Sequence, residues 1–139
     1  MKIRVGILTA PKIGFERREH TFVIRNVQIG IGFHWNQYED EEFEGTLEIV
    51  TNPDGTETAV NTIDIESYLT SVISSEMSAD APLELLKAQA VIARSWVMRA
   101  IGHTSHTSFD VCADDHCQRY YGIARRNARA IEAVQATRG

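Results

Sequence analysis

Apolar residues alternate with polar or small ones at the start of the chain, Ile3, Val5 and Ile7 against Lys2, Arg4 and Gly6. That two-residue period predicts a strand with one buried face, and Pro11 and Gly14 punctuate its end. From His20 to Trp35 the run Phe22-Val-Ile-Arg-Asn-Val-Gln-Ile-Gly-Ile-Gly-Phe is rich in β-branched and aromatic residues. It predicts one long bent strand or two short ones, with Gly30 and Gly32 marking a bulge or a close backbone approach. Gly45 to Val50 and Thr58 to Ile63 flank Asn52-Pro53-Asp54-Gly55, a proline–glycine turn that predicts a hairpin.

The periodicity changes at Asp64. This residue can cap a short helix carried by Ile65, Tyr68, Leu69, Val72 and Ile73 at near-helical spacing. A second helix is expected over Leu83 to Ile101, with Pro82 at its first position, Glu84 near the positive end of the dipole and Gly102 as the stop. Leu85, Leu86, Ala88, Ala90, Val91, Ile92, Trp96, Val97 and Met98 leave this helix little polar face, which predicts a position at the buried centre of the fold. Ala124 to Ala136, rich in Ala and Arg, reads as a final helix. The pattern is α+β: N-terminal strands with a hairpin, a central buried helix pair, a Cys/His loop and a C-terminal helix. Residues 1–63 are mainly β and 64–139 mainly α.

At 139 residues the chain falls in the single-domain range and can bury one moderate core. Its 43% hydrophobic and 24% charged content is that of a globular protein rather than a disordered one. A formal charge of -5 gives no reason to expect nucleic acid as a ligand. The acidic cluster Glu39-Asp40-Glu41-Glu42 with Glu44 supplies much of that excess and reads as a solvated loop. No stretch approaches the roughly 20 apolar residues of a transmembrane helix. The N-terminus is too short and strand-like for a signal peptide.

Two features carry candidate chemistry. His106, Cys112, His116 and Cys117 place four metal-ligand side chains within twelve positions of a chain with no other cysteine, and His103 could stand in for His106. Two thiolates and two imidazoles satisfy a closed tetrahedral Zn²⁺ site. A Cys112–Cys117 disulfide, which needs Cα atoms within about 7 Å, and two free thiols are the alternatives. The second feature is Ser74-Ser75-Glu76-Met77-Ser78, a polar break between two apolar helices. Partly desolvated, Glu76 would suit a general acid. It could equally cap the next turn or meet an exposed Arg. Gln89 and Arg94 are polar positions on an otherwise apolar helix, either supporting the Glu76 loop or reaching solvent. Tyr68, Tyr120 and Tyr121 could stack on sugar rings or fill the core.

These residues resemble the stage II sporulation protein D family, the SpoIID/LytB domain. The matching blocks are Phe43-Glu-Gly-Thr-Leu-Glu-Ile-Val, Ile65-Glu-Ser-Tyr-Leu-Thr-Ser-Val-Ile-Ser-Ser-Glu-Met, Leu83-Glu-Leu-Leu-Lys-Ala-Gln-Ala-Val-Ile-Ala-Arg-Ser-Trp, Phe109-Asp-Val-Cys-Ala-Asp-Asp-His-Cys-Gln-Arg-Tyr and Ala133-Val-Gln-Ala-Thr-Arg-Gly. The resemblance implies a lytic transglycosylase. Such enzymes cleave the bond between N-acetylmuramic acid and N-acetylglucosamine in peptide-stripped peptidoglycan strands and leave a 1,6-anhydro end. It implies Glu76 as the catalytic acid and base, with Ser75, Gln89, Arg94, Tyr68 and Tyr120 as substrate contacts or supports. It also implies a structural Zn²⁺ on His106, Cys112, His116 and Cys117, and a cell-envelope or secreted location. Family domains continue past Thr-Arg-Gly into a β-rich segment, whereas this chain stops at Gly139, so the resemblance implies a single domain incomplete at its C-terminus. A non-catalytic peptidoglycan-binding or amidase-enhancer module, with a cell-wall amidase as partner, is the alternative from another functional class.

Overall fold

The computed structural model describes residues 1–29, 37–77, 80–101, 109–113, 118–123 and 126–138. The opening alternation becomes β1 (Lys2–Ala10), with Ile3 and Val5 fully buried. The hairpin expected around Asn52–Gly55 forms between β5 (Thr46–Thr51) and β6 (Glu57–Asp64). Its turn is closed by Asn52 and Thr56 through a 2.8 Å main-chain bond, with Gly55 at φ +90, a left-handed conformation suited to glycine. A two-residue strand, β7 (Val111–Cys112), runs parallel to β1 and completes a sheet of order β5-β6-β1-β7.

The second sheet has the order β2-β3-β4, from β2 (Phe15–Arg17), β3 (Thr21–Ile29) and β4 (Gln37–Glu44). The expected solvated acidic loop is therefore a strand. Antiparallel pairing with β3 sets Thr21 opposite Glu44 and Ile24 opposite Glu41. Basic and hydroxyl groups of that strand answer the charges: Arg25 Nη1 donates to Asp40 at 2.9 Å and the Thr21 hydroxyl to Glu42 at 2.5 Å. Register slips between Ile24 and Val27, where Asn26 takes φ 56, a left-handed conformation that Asn tolerates at a bulge.

Asp64 caps α1 (Ile65–Glu76) by accepting from the N–H groups of Glu66 and Ser67, as expected of an Asp at that position. Tyr68, Leu69, Val72 and Ile73 on this helix have no exposed surface. The second helix, α2 (Leu83–Ala100), takes Pro82 as its N-cap rather than as its first helical residue. It does not lie at the buried centre. Leu86, Ala90, Ala93 and Val97 form its one buried stripe, while Leu85, Ile92 and Trp96 are 50%, 61% and 39% exposed. The stripe at i, i+4, i+7 and i+11 is the width that packing on α1 and on α3 (Ala128–Ala136) can cover. The last helix starts later than its Ala content suggests because Asn127, in an extended conformation, caps it through the Ala130 N–H. The core is continuous, and an aromatic stack runs through it from Phe22 to Phe43, Tyr120 and Tyr68 with centroid separations of 5.6, 5.3 and 5.0 Å.

Candidate active site

Helix α1 ends at Glu76. Met77 leaves the helix in an extended conformation while its N–H still bonds the Ile73 carbonyl at 2.9 Å. Along the last two turns the hydroxyls of Ser74 and Ser75 donate back to the carbonyls of Thr70 and Ser71 at 2.8 and 2.7 Å, a pattern that fixes serine rotamers and eases a helix end out of ideal geometry. Glu76 is partly buried at this end. No basic residue of the helix itself occupies its last turn.

The segment that follows the Cys/His loop lies along one face of α1. The Tyr68 hydroxyl donates to Gln118 Oε1 at 2.8 Å, Arg126 Nε donates to the Ser71 hydroxyl at 2.7 Å, and the Tyr121 N–H donates to the Ser75 hydroxyl at 3.2 Å. Positions 68, 71 and 75 are one helical face. Arg126 adds a bond to the Ser67 carbonyl at 3.0 Å and an ion pair with Glu44. Gln118 reaches on to the Ala93 carbonyl at 3.3 Å and so ties α2 to the same face. Gly122 lets the same segment also lie close against β4. It holds φ +88, and a Cβ there would meet the Glu42 carbonyl oxygen at 2.3 Å.

Tyr68 and Tyr120 are both fully buried, so stacking on a sugar is closed to them and support from within the core is the role left. The Tyr120 hydroxyl donates to Asn61 Oδ1 at 2.7 Å, while the Asn61 amide donates to the carbonyls of Glu44 and Thr46 at 2.8 and 3.2 Å. Burial raises the Tyr120 hydroxyl far above the ordinary phenol range. Tyr121 is half-buried, with its N–H bonded to Ser75.

Arg94 sits at the other end of α1. It donates to both oxygens of Glu66 at 3.0 and 2.7 Å and to the Thr137 and Val134 carbonyls at 3.2 Å each. Ten residues of helix separate Glu66 from Glu76, about 15 Å at 1.5 Å per residue. Arg94 thus locks three helices together at a distance from Glu76. Gln89 lies partly buried on α2 between the buried stripe and the exposed Leu85 and Ile92. Sequence reasoning missed Asn61, Gln118 and Arg126, whose partners stand 59, 50 and 55 positions away and leave no local signal.

Of the four proposed metal ligands, Cys112 is among the described residues, and His106, His116 and Cys117 lie outside them. Cys112 is partly exposed on β7, and beside it the Ala113 carbonyl accepts from the Tyr120 N–H at 3.0 Å. Among the described residues no group of three or more His, Cys, Asp or Glu side chains is placed to hold a metal. A cavity of about 280 Å³ opens beside Cys112, between the far half of β1, Val27 of β3, Phe109 and Tyr121.

Comparison with known proteins agrees with the residue pattern. The chain is 38% identical over 98 residues to an uncharacterized protein of Brachyspira hyodysenteriae (strain ATCC 49526 / WA1). The match takes in 70% of this chain and 26% of that protein, so the chain spans about a quarter of the relative's length. No solved structure matches the chain at a significant level. The profile of SpoIID, stage II sporulation protein, matches residues 53–139, which include all of α1, α2 and α3. By that match the chain belongs to the SpoIID family, whose proteins are related to the bacterial cell wall.

Proposed function

We propose that this chain is a lytic transglycosylase of peptidoglycan, cleaving the bond between N-acetylmuramic acid and N-acetylglucosamine in peptide-stripped strands, with Glu76 as its catalytic acid and base. One observation carries the reading. A carboxylate ends a largely buried helix, one residue after Ser75, whose hydroxyl accepts from the Tyr121 N–H, in a chain of the SpoIID family.

In the proposed reaction Glu76 protonates the glycosidic oxygen as the bond to the muramic C1 breaks. It then takes the proton of the muramic C6 hydroxyl as that oxygen closes on C1. The bond broken is C1 to the leaving oxygen, the bond formed is C1 to O6, and the carboxyl group ends as it began. Because the nucleophile belongs to the substrate, one carboxyl group suffices, unlike the carboxylate pair of common glycosidases. Ser75, held by Ser71 and Tyr121, fixes the helix end that carries Glu76. Arg94 and the buried tyrosines Tyr68 and Tyr120 act as supports.

A structural Zn²⁺ on His106, Cys112, His116 and Cys117 belongs to the same proposal. Two thiolates and two imidazoles would suit such an ion, which when bound would supply a crosslink between Cys112 and the residues that precede Gln118. A cell-wall substrate places the site of action outside the cytoplasmic membrane. No helix among the described residues is long and apolar enough to cross one.

The test is turnover of purified, peptide-free glycan strands. Glu76→Gln is expected to lower the rate by about 100- to 10,000-fold, the usual contribution of general acid–base catalysis, while strands are retained in a pull-down. Equal rates for the two proteins would remove Glu76 from the mechanism. Retention without turnover by either would favour the binding or amidase-enhancer module.

A further inference from the structure

Ser67, Ser71 and Ser75 recur at every fourth residue of α1 and so line one face of the helix. Arg126 Nη2 donates to the Ser67 carbonyl at 3.0 Å, Arg126 Nε donates to the Ser71 hydroxyl at 2.7 Å, and the Tyr121 N–H donates to the Ser75 hydroxyl at 3.2 Å. The Ser75 hydroxyl in turn donates to the Ser71 carbonyl at 2.7 Å, so these contacts meet within the last turns of the helix. Glu76 is the next residue. Arg126 is itself held from behind. Its Nη1 pairs with the carboxylate of Glu44 at the end of β4. The Glu44 carbonyl accepts from the Asn61 amide at 2.8 Å, and Asn61 Oδ1 accepts from the Tyr120 hydroxyl at 2.7 Å.

From this geometry we infer that Arg126, clamped by Glu44, is a positioning residue for Glu76: it sets the rotation and height of the last turns of α1 and through them the place of the carboxyl group. The inference rests on the catalytic role proposed for Glu76 above. A guanidinium is planar and presents its donors in fixed directions. With β4 holding one nitrogen, the other two fix where the serine face of α1 lies. Ser71 has no exposed surface and the Arg126 side chain is 19% exposed, so water competes little for these bonds. Arg126 acts through the helix rather than on the sugar, since Ser71 precedes Glu76 by five residues, a rise of about 7.5 Å. A carboxyl group that must reach first the glycosidic oxygen and then the C6 hydroxyl tolerates little displacement, and an error of about 1 Å can cost about 100-fold in rate.

The experiment measures turnover of peptide-free strands and amide hydrogen exchange in wild type, Arg126→Ala, Arg126→Lys and Glu44→Gln, with circular dichroism showing that each is folded. In Arg126→Ala kcat is expected to fall about 10- to 100-fold with KM changed by less than about twofold. Arg126→Lys should recover part of kcat, because an ammonium keeps the charge but not the fixed directions of the donors. Glu44→Gln, which keeps an acceptor without the charge, should fall between wild type and Arg126→Ala. Amides of the last turn of α1 should exchange about tenfold faster in Arg126→Ala than in wild type, while those of β1 keep their rates. Wild-type kcat in folded Arg126→Ala would overturn the inference and leave the proposed activity standing. A raised KM at unchanged kcat would overturn it as well, by assigning Arg126 to binding. If wild type cleaves no strands, the proposed activity falls and exchange decides alone: faster exchange in the last turn supports its anchoring by Arg126, and unchanged exchange overturns it. Should Arg126→Ala fail to fold, Arg126→Lys and Glu44→Gln carry the same comparisons.

Discussion

Arg94 grips both carboxylate oxygens of Glu66 across the α1–α2 interface, at 3.0 and 2.7 Å, with side chains 13% and 17% exposed. The same guanidinium reaches the last turn of α3 through Val134 and Thr137. Removing one partner of a buried pair leaves the other charge uncompensated, so Arg94→Ala is expected to cost about 3 kcal/mol, the low end for such changes because some solvent reaches the pair. Arg94→Lys should recover only part of the loss, since an ammonium cannot reproduce the two-pronged geometry. Urea unfolding of the three proteins measures both. A change within a few tenths of a kcal/mol for Arg94→Ala would remove Arg94 from the helix lock.

Tyr120 and Asn61 satisfy one another inside the core. Tyr120→Phe keeps the ring stack with Phe43 and Tyr68 but leaves Asn61 Oδ1 without its donor. A buried acceptor stripped of its partner costs about 1–3 kcal/mol, which thermal unfolding should register as a lower midpoint. Because Tyr120 has no exposed surface, the effect is expected on stability, with glycan affinity retained by the folded fraction.

Gly122 lets the segment that carries Tyr121 lie close against Glu42 of β4. In Gly122→Ala the left-handed backbone alone costs about 1–2 kcal/mol, and the new Cβ would collide with the Glu42 carbonyl. The segment can relieve that contact only by lifting from β4, which breaks the 2.8 Å bond from the Ile123 N–H to the same carbonyl. Loss of activity exceeding the loss of folded protein is the expected result, checked by turnover at a temperature where circular dichroism shows the variant folded.

Asp40 offers a pH test of the β3 bulge. The Asn26 N–H, first, and then the Arg25 guanidinium hold its carboxyl below the ordinary 3.8. The folded state therefore binds this proton less readily than the unfolded chain. The resulting stabilisation is fully present above pH 3.8 and is lost as pH falls through the lower folded value. Urea midpoints followed downward from pH 5 should fall less steeply in Asp40→Asn than in wild type. Parallel curves would show that the bulge does not depend on this charge.

The exposed flank of α2 gives an expected absence of effect. Ile92 is 61% exposed, so Ile92→Lys should change stability by no more than about 0.5 kcal/mol, as for most surface substitutions. A loss of several kcal/mol would restore the buried-centre position that the helix's apolar composition suggests.

Those two readings of α2 show which parts of this fold were legible. Asp64 capping α1, the Asn52–Gly55 turn and the alternation of β1 are set by chemistry within a few residues, and each stands where its sequence places it. β4 was not legible, because acidic residues are poor strand formers and only pairing with Arg25 and Thr21 makes them acceptable. Nor was β7, a two-residue strand held to β1 by the Asp110–Arg4 bond from 106 positions away. Composition says that α2 is apolar, but only the neighbours it packs on decide how much of it is covered. At the candidate site, Ser74-Ser75-Glu76, expected as a break between the helices, is instead the last turn of α1, and Tyr68 and Tyr120 could not be sorted from Tyr121. A tyrosine fits a core or a rim equally well, and the partners that buried the first two lie on other elements.

The central claim is that Glu76 passes one proton out and takes another back while the substrate supplies its own nucleophile. Digesting peptide-free glycan strands in heavy-oxygen water and weighing the product ends by mass spectrometry tests it most directly. The account expects wild-type products to end in anhydro sugars lighter than the free sugar by one water, without heavy oxygen, and Glu76→Gln to give almost none. Reducing ends labelled with heavy oxygen would mean that water is the nucleophile, and would contradict it.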